Sequence, residues 1–190
     1  GDLAPRRLLH DASGRRAGPA IRRLRRRRRA GGLDRPLLRF LAASGYWVCA
    51  SQIGQGIFEL ACYLRGYERI LYDLVDDCAF VHAFAERALR VNEALNDCYF
   101  SVIGPHVDMV LLGDDLATQN GPYMSPAMFR ELFKPYFARY VASVQRHCPR
   151  AVIAHHSCGS SFALLDDLAD IGIRVINPTQ TTAAHMAPGN

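Results

Sequence analysis

The sequence predicts an α/β fold in which parallel strands alternate with helices. Short apolar runs of strand length recur at residues 46–50, 107–112, 151–156 and 173–177. Between them lie stretches whose apolar residues repeat at helical spacing. Polar residues gather directly after the strands, at the end where parallel α/β folds bind their ligands. This pattern is typical of a parallel barrel or a doubly wound sheet.

Length and composition narrow the class of protein. The chain has 190 residues, enough to bury one sizeable core. Its six cysteines are scattered without a CxxC pair, which favours a reducing compartment, and we expect a cytoplasmic protein. No apolar run reaches the roughly 18 residues of a membrane helix, so we expect no membrane association. The sequence starts without Met and stops just after a strand-like segment, and we expect it to be a piece of a longer protein.

Residues 1–36 differ from the rest in composition. Gly, Pro, Ala and Arg dominate, and residues 22–29 are almost all Arg. Because like charges repel and offer little apolar surface, we predict a disordered tail or a segment foreign to the domain. The alternative is a nucleic-acid-binding arm, but the tail has no aromatic residues to stack on bases, so we do not expect nucleic acid as the partner. Residues 37–190 are the predicted domain.

The domain opens with a strand candidate at 46–50 and a glycine-bearing loop at 51–56. The loop does not match a phosphate-binding pattern, and we assign it no such role. Gly66 is placed to end a helix, and either Asp76 or Asp77 to cap the next one. The helices expected here are 57–64, 67–74 and a longer one that extends to about residue 95.

The second half of the domain continues the alternation. The near-continuous apolar run at 107–112 is typical of a parallel strand buried on both faces. After a loop, Ser125 and Pro126 are expected to start a long helix as its N-cap and first residue, and Pro135 to kink it. The last predicted elements are a strand at 151–156, a helix that ends near Gly172 and a strand at 173–177.

The most informative polar residues are His156 and Cys158, at the end of a predicted strand. Residues two apart in an extended chain point to the same face, so imidazole and thiol can converge. Together they supply half of a tetrahedral zinc site. The alternative is a buried histidine beside an inert buried cysteine.

Several further short motifs follow one another along the chain. They are Phe58-Glu59, Leu64-Arg65-Gly66, the run from Gly113 to Pro126, Phe129-Arg130-Glu131, Lys134-Pro135, His156 to Gly159, and Ile176 to Gln180. Together these motifs span about residues 44–186 and resemble the uroporphyrinogen decarboxylase superfamily. Within it, they are most similar to the branch that contains the zinc-dependent methylcobamide:coenzyme M methyltransferases. The resemblance implies a (β/α)8 TIM barrel, here a partial one that is incomplete at both its C-terminus and its N-terminus.

The resemblance also implies a chemistry. In the methyltransferase branch, zinc is held by a His-x-Cys pair and a later Cys; His156 and Cys158 match the pair, and the later Cys is expected outside this chain. The implied reaction moves a methyl group from a methyl-corrinoid co-substrate to a small-molecule thiol, which becomes a thiolate on zinc. A corrinoid protein is a candidate partner. His155 points away from His156 and is expected to be structural or to support the site indirectly.

The alternative within the superfamily is uroporphyrinogen III decarboxylase, a cofactor-free enzyme of porphyrin (haem) biosynthesis that acts on a tetrapyrrole. Its branch carries an arginine motif that grips substrate carboxylates. Residues 15–18 echo that motif without its final Arg. In this alternative, arginines bind the substrate carboxylates and a carboxylate stabilises the pyrrole cation as carbon dioxide leaves.

Two aspartates and several amides follow the predicted strands. Asp114 and Asp115 are candidate catalytic residues, with Asp115 the stronger candidate to face the barrel mouth. The alternative is that one carboxylate caps a loop or a helix. The predicted substrate-binding residues are Gln119, Asn177 and Gln180; Asn120 is similarly placed, and loop-stabilising hydrogen bonds would explain these amides equally well.

Overall fold

The computed structural model describes residues 35–187. The predicted Arg-rich tail, including the run at 22–29, therefore lies outside the described residues except for its last two positions. The first described element, helix α1 (Arg35–Ala42), begins two residues before the predicted domain boundary.

Four parallel strands form one sheet, as the apolar runs predicted. Their order is β1-β2-β5-β6, and each neighbouring pair is parallel. The strands are β1 (Cys49–Ser51), β2 (Met109–Gly113), β5 (Val152–His156) and β6 (Val175–Asn177). Each overlaps one predicted strand, and the predicted parallel α/β class is confirmed.

Helices connect successive strands and cover one face of the sheet. They are α2 (Ile57–Arg65), α3 (Tyr67–Asp76), α4 (Cys78–Ile103), α5 (Pro126–Leu132), α6 (Lys134–His147) and α7 (Leu165–Asp170), with single 3-10 turns at Gly104–His106 and Phe162–Leu164. Helices α4 and α6 pack against each other over the sheet. None of the helices in the described part of the chain combines the length and apolarity of a membrane crossing.

The helix ends follow the local sequence. Gly66 closes α2 with a φ of 89°, a conformation that costs glycine little because it lacks a Cβ atom. Of the two candidate caps, Asp77 takes the position, and its Oδ1 accepts from the Phe80 amide. Ser125 caps α5 by accepting from the Met128 amide, with Pro126 as the first helical residue.

Two features differ from the sequence-based expectation. The single kinked helix predicted from Ser125 is two helices, interrupted at Phe133. Pro135 explains the break, since its nitrogen cannot donate to the carbonyl of Glu131 and its ring crowds that carbonyl. The predicted loop after β2 contains a short antiparallel hairpin, β3 (Ala117–Thr118) with β4 (Gly121–Pro122).

The two faces of the sheet differ in burial. Val110, Leu112 and Ile153 point into the helical layer, where a core rich in phenylalanine surrounds them. Met109 and Leu111, on the opposite face, are only half-buried. Within residues 35–187 the sheet is open, with β1 and β6 as its outer strands. This arrangement of parallel strands and outer helices is that of part of a TIM barrel.

Candidate metal centre

Neighbouring strands deliver polar side chains to one edge of the sheet. Asp115 lies just beyond β2, His156 is the last residue of β5, and Asn177 is the last residue of β6. The strand register places Gly113 opposite His156, and His156 opposite Asn177. Cys158 follows His156 by two residues. These four residues therefore meet at the C-terminal ends of the parallel strands, where barrel enzymes place their active sites.

Three of these side chains bring their donor atoms together. The Sγ atom of Cys158 lies 3.5 Å from Nε2 of His156, within the roughly 4 Å that a shared zinc ion requires. Oδ1 of Asp115 lies 3.9 Å from the same Nε2 atom. The ligand atoms of all three residues lie within 4.8 Å of one another. We call this group the His–Cys–Asp cluster. The metal-ligand roles of His156 and Cys158 stay predictions.

A hydrogen bond orients the imidazole of His156. Its Nδ1 atom lies 2.9 Å from Oδ1 of Asn177. Because an amide oxygen only accepts, Nδ1 carries the hydrogen, and the lone pair of Nε2 points into the cluster. Histidines that bind metals are commonly held in this way by a partner on the other nitrogen. Asn177 was predicted to bind substrate, and the structure shows its side-chain oxygen engaged with His156.

Asp115 is tied to the backbone of the same loop. Its Oδ1 accepts a hydrogen bond of 2.8 Å from the amide of Cys158. Burial raises the pKa of the Cys158 thiol, and the charges of Asp115 and Glu59 raise it further. Without a cation the side chain is therefore a thiol, and a dication in the cluster would favour the thiolate.

A family model described as uroporphyrinogen decarboxylase (URO-D) matches residues 52–187, which is well over half of the chain. The chain belongs to the uroporphyrinogen decarboxylase family. The predicted superfamily is thereby confirmed, and with it an enzyme family that includes decarboxylases and methyltransferases. No curated protein and no solved structure matches the chain.

Asp114 has a different position from Asp115 in this uroporphyrinogen decarboxylase-family chain. Its carboxylate accepts from the amides of Phe58, at 2.9 Å, and Glu59, at 2.7 Å, and so caps helix α2. Burial raises the pKa of Asp114 to about 7, although the hydrogen bonds to the helix amides lower it. Asp114 does not take part in the cluster, and a catalytic role for it stays a prediction.

The contact between Asp114 and helix α2 explains why a glycine occupies position 56, in the loop before that helix. A Cβ atom on Gly56 would lie 2.3 Å from Cγ of Asp114, so any larger residue would displace the carboxylate. The sequence showed the glycine but not its neighbour, because the two residues are far apart along the chain.

The remaining predicted residues shape the loop after Cys158. Gln180 accepts from the Gly159 amide through Oε1, at 2.9 Å, and donates to Gln119 through Nε2, at 2.5 Å. Gly159 has a φ of 81° and passes so close to the carbonyl of Thr118 that a Cβ atom would be 2.4 Å from it. Asn120 lies in the turn of the hairpin, where its backbone amide donates a hydrogen bond to Oγ1 of Thr118. Their roles toward a substrate stay predictions.

His155 points into the helical layer of the URO-D-family domain, away from the cluster, as expected from strand alternation. Its ring centre lies 5.9 Å from that of Phe137. Among the described residues, neither ring nitrogen finds a hydrogen-bond partner. Burial lowers the pKa of His155 to about 4, with a smaller contribution from His156, so the ring is neutral at pH 7.

Proposed function

We propose that the whole protein is a zinc-dependent methyltransferase that moves a methyl group from a corrinoid to a thiol. One observation carries the proposal: Sγ of Cys158 and Nε2 of His156 are 3.5 Å apart at the C-terminal ends of the strands, and Asn177 holds the other nitrogen. A buried structural pair would not need this orientation. Both side chains are partly exposed, so a ligand can reach them.

The residues fit the proposed metal. Thiolate and imidazole are the ligands that zinc prefers, and the lone pair of Nε2 is already directed at the cluster. His156 and Cys158 would hold the ion. Bound there, zinc would lower the pKa of a substrate thiol so that the thiol reacts as a thiolate at neutral pH.

Three hydrogen bonds hold His156, Cys158 and Gly159 in position around the proposed zinc site. Asn177 fixes the ring of His156, Asp115 fixes the backbone of Cys158, and Gln180 holds Gly159. The proposed co-substrate is a methyl-corrinoid, with a small-molecule thiol as acceptor and a corrinoid protein as a candidate carrier.

The alternative is a cofactor-free decarboxylase acting on a tetrapyrrole, the activity after which the family model is named. In that case Asp115, whose side chain is one-third exposed at the strand ends, would stabilise the pyrrole cation during loss of carbon dioxide. This alternative needs no metal.

Metal content and methyl transfer distinguish the two activities. The purified protein should contain about one zinc per chain by elemental analysis and transfer a methyl group from methylcobalamin to a thiol. Cys158→Ser should lose both, whereas Cys98→Ser, at an exposed cysteine, should keep both. A metal-free protein that releases carbon dioxide from a uroporphyrinogen would overturn the proposal in favour of the decarboxylase.

A further inference from the structure

We infer that Asp115 is the third zinc ligand, so that this chain alone carries a complete His–Cys–Asp ligand set. The inference rests on the proposed zinc chemistry and deepens it. The sequence pointed to a third ligand outside the chain, a later cysteine. The structure instead brings a carboxylate from a different strand to the pair.

The distances match those between ligands of one ion. Zinc bonds of ~2.0–2.3 Å at tetrahedral angles place ligand atoms roughly 3.3–3.8 Å apart. The 3.5 Å from Sγ of Cys158 to Nε2 of His156 falls in this range, and the 3.9 Å from Nε2 to Oδ1 of Asp115 lies just outside it. The ligand atoms of all three residues lie within 4.8 Å of one another, so closure around an ion needs movements of up to about 1 Å.

The carboxylate is held in place and still has binding capacity. Oδ1 of Asp115 accepts from the Cys158 amide, which fixes the side chain beside the thiol. Oδ2 takes part in none of the hydrogen bonds among the described residues, and each carboxylate oxygen has more than one acceptor site. Either oxygen can therefore bind an ion while the hydrogen bond from the Cys158 amide is kept.

The negative charge of the Asp115 carboxylate also favours a cation in the cluster. Asp115 makes no ion pair with Lys or Arg in the described part of the chain; its nearest basic group is His156. One thiolate and one carboxylate would neutralise a zinc dication, as two thiolates do in a His–Cys–Cys site. Three protein ligands leave one tetrahedral position open, which is the pattern of catalytic zinc sites.

The test is zinc affinity, measured on this chain by competition with a chromogenic chelator. The unmodified chain should bind one equivalent. Asp115→Asn keeps an oxygen that accepts from the Cys158 amide but lacks the charge, and should weaken binding roughly 100-fold or more. Asp166→Asn, at an exposed position in α7, is the matched control and should leave affinity unchanged. Melting temperatures without metal should be the same for the unmodified chain and Asp115→Asn.

Cobalt(II) substitution separates direct ligation from positioning. In Asp115→Asn, the thiolate-to-cobalt absorption should persist while the visible d–d bands change in position and intensity. If Asp115→Asn binds zinc as tightly as the unmodified chain, while His156→Gln and Cys158→Ser lose it, Asp115 is not a ligand but the zinc proposal stands. If the unmodified chain binds no zinc but the whole protein binds one equivalent, the third ligand lies outside this chain and only the inference on Asp115 fails. If neither binds zinc, both proposals fail.

Discussion

Nδ1 of His156 and Oδ1 of Asn177 are 2.9 Å apart across the ends of two neighbouring strands. The contact determines which nitrogen of the imidazole faces Cys158. It also makes the orientation of a ring on β5 depend on a side chain of β6, although the two residues are 21 positions apart in the sequence.

The first prediction follows from this hydrogen bond. Asn177→Ala frees the ring of His156 to rotate, and we expect zinc affinity to fall about 10- to 100-fold. Asn177→Asp should restore most of it, because a carboxylate also accepts from Nδ1. Asn120→Ala, in the hairpin turn, serves as the control. Unchanged zinc affinity in Asn177→Ala would show that the hydrogen bond does not support a metal site.

The second prediction concerns the buried cap of α2. The pKa of Asp114 is about 7 in the folded chain against an ordinary value of 3.8. A raised pKa favours the protonated group, so its contribution is fully present below pH 3.8 and is lost as the pH rises toward 7. The loss amounts to about 4 kcal/mol.

Asp114→Asn removes this dependence and also removes one acceptor for the helix amides, at a cost of about 1–3 kcal/mol. In urea unfolding with chelator present, the variant should be less stable than the unmodified chain at pH 4. Because the loss of about 4 kcal/mol exceeds the cost of the missing acceptor, the order should reverse by pH 8, where the variant should be the more stable of the two. A variant that becomes less stable relative to the unmodified chain as the pH rises would contradict the raised pKa.

The third prediction concerns His155, whose folded pKa is about 4 against an ordinary 6.5. The neutral ring is favoured in the fold, so the contribution of His155 to stability should fall by about 3 kcal/mol as the pH falls from 6.5 toward 4. His155→Leu should not show this loss, and it also removes two unpaired ring nitrogens. Its stability relative to the unmodified chain should therefore increase at acidic pH, measured by urea unfolding without metal. A constant difference from pH 7 to pH 4 would refute the lowered pKa.

The fourth prediction concerns the ion cluster that joins α5 and α6 to α7. The buried carboxylate of Asp167 accepts from Nε of Arg130, at 2.9 Å, and from Nζ of Lys134, at 2.8 Å. Asp167→Asn should destabilise the chain by about 1–3 kcal/mol, because both cations lose their shared partner. Asp170→Asn removes only the exposed contact to Lys134 and should cost well under 1 kcal/mol. Equal effects of the two variants in thermal unfolding would contradict the importance of burial.

The hydrogen bonds to Arg130 and Lys134 lower the pKa of Asp167. Its contribution is therefore present above the ordinary carboxyl pKa and is lost as the solution becomes strongly acidic. The effect of Asp167→Asn should accordingly diminish toward pH 3, a direction opposite to that expected from Asp114.

Local pattern was sufficient to predict the four parallel strands, the cap at Ser125 and a cap at either Asp76 or Asp77, of which the structure shows Asp77. It was also sufficient to place His156 and Cys158 on one face, since alternation in a strand is a local property. Asp115 beside Cys158 was not predictable as a potential ligand, because that contact depends on the register that sets Gly113 opposite His156. The hairpin was missed because its two-residue strands are too short to show a period of two.

A single peptide bond separates the anchor of helix α2 from the His–Cys–Asp cluster, because Asp114 and Asp115 are consecutive. A mutational scan scored by enzyme activity alone would classify both positions as catalytic. A parallel scan scored by the abundance of folded protein should flag only Asp114, and there chiefly the replacements that cannot accept from the amides of helix α2. With the zinc site proposed above, adjacent codons encode a stabilising residue and a metal ligand, and the two readouts together distinguish the roles of Asp114 and Asp115.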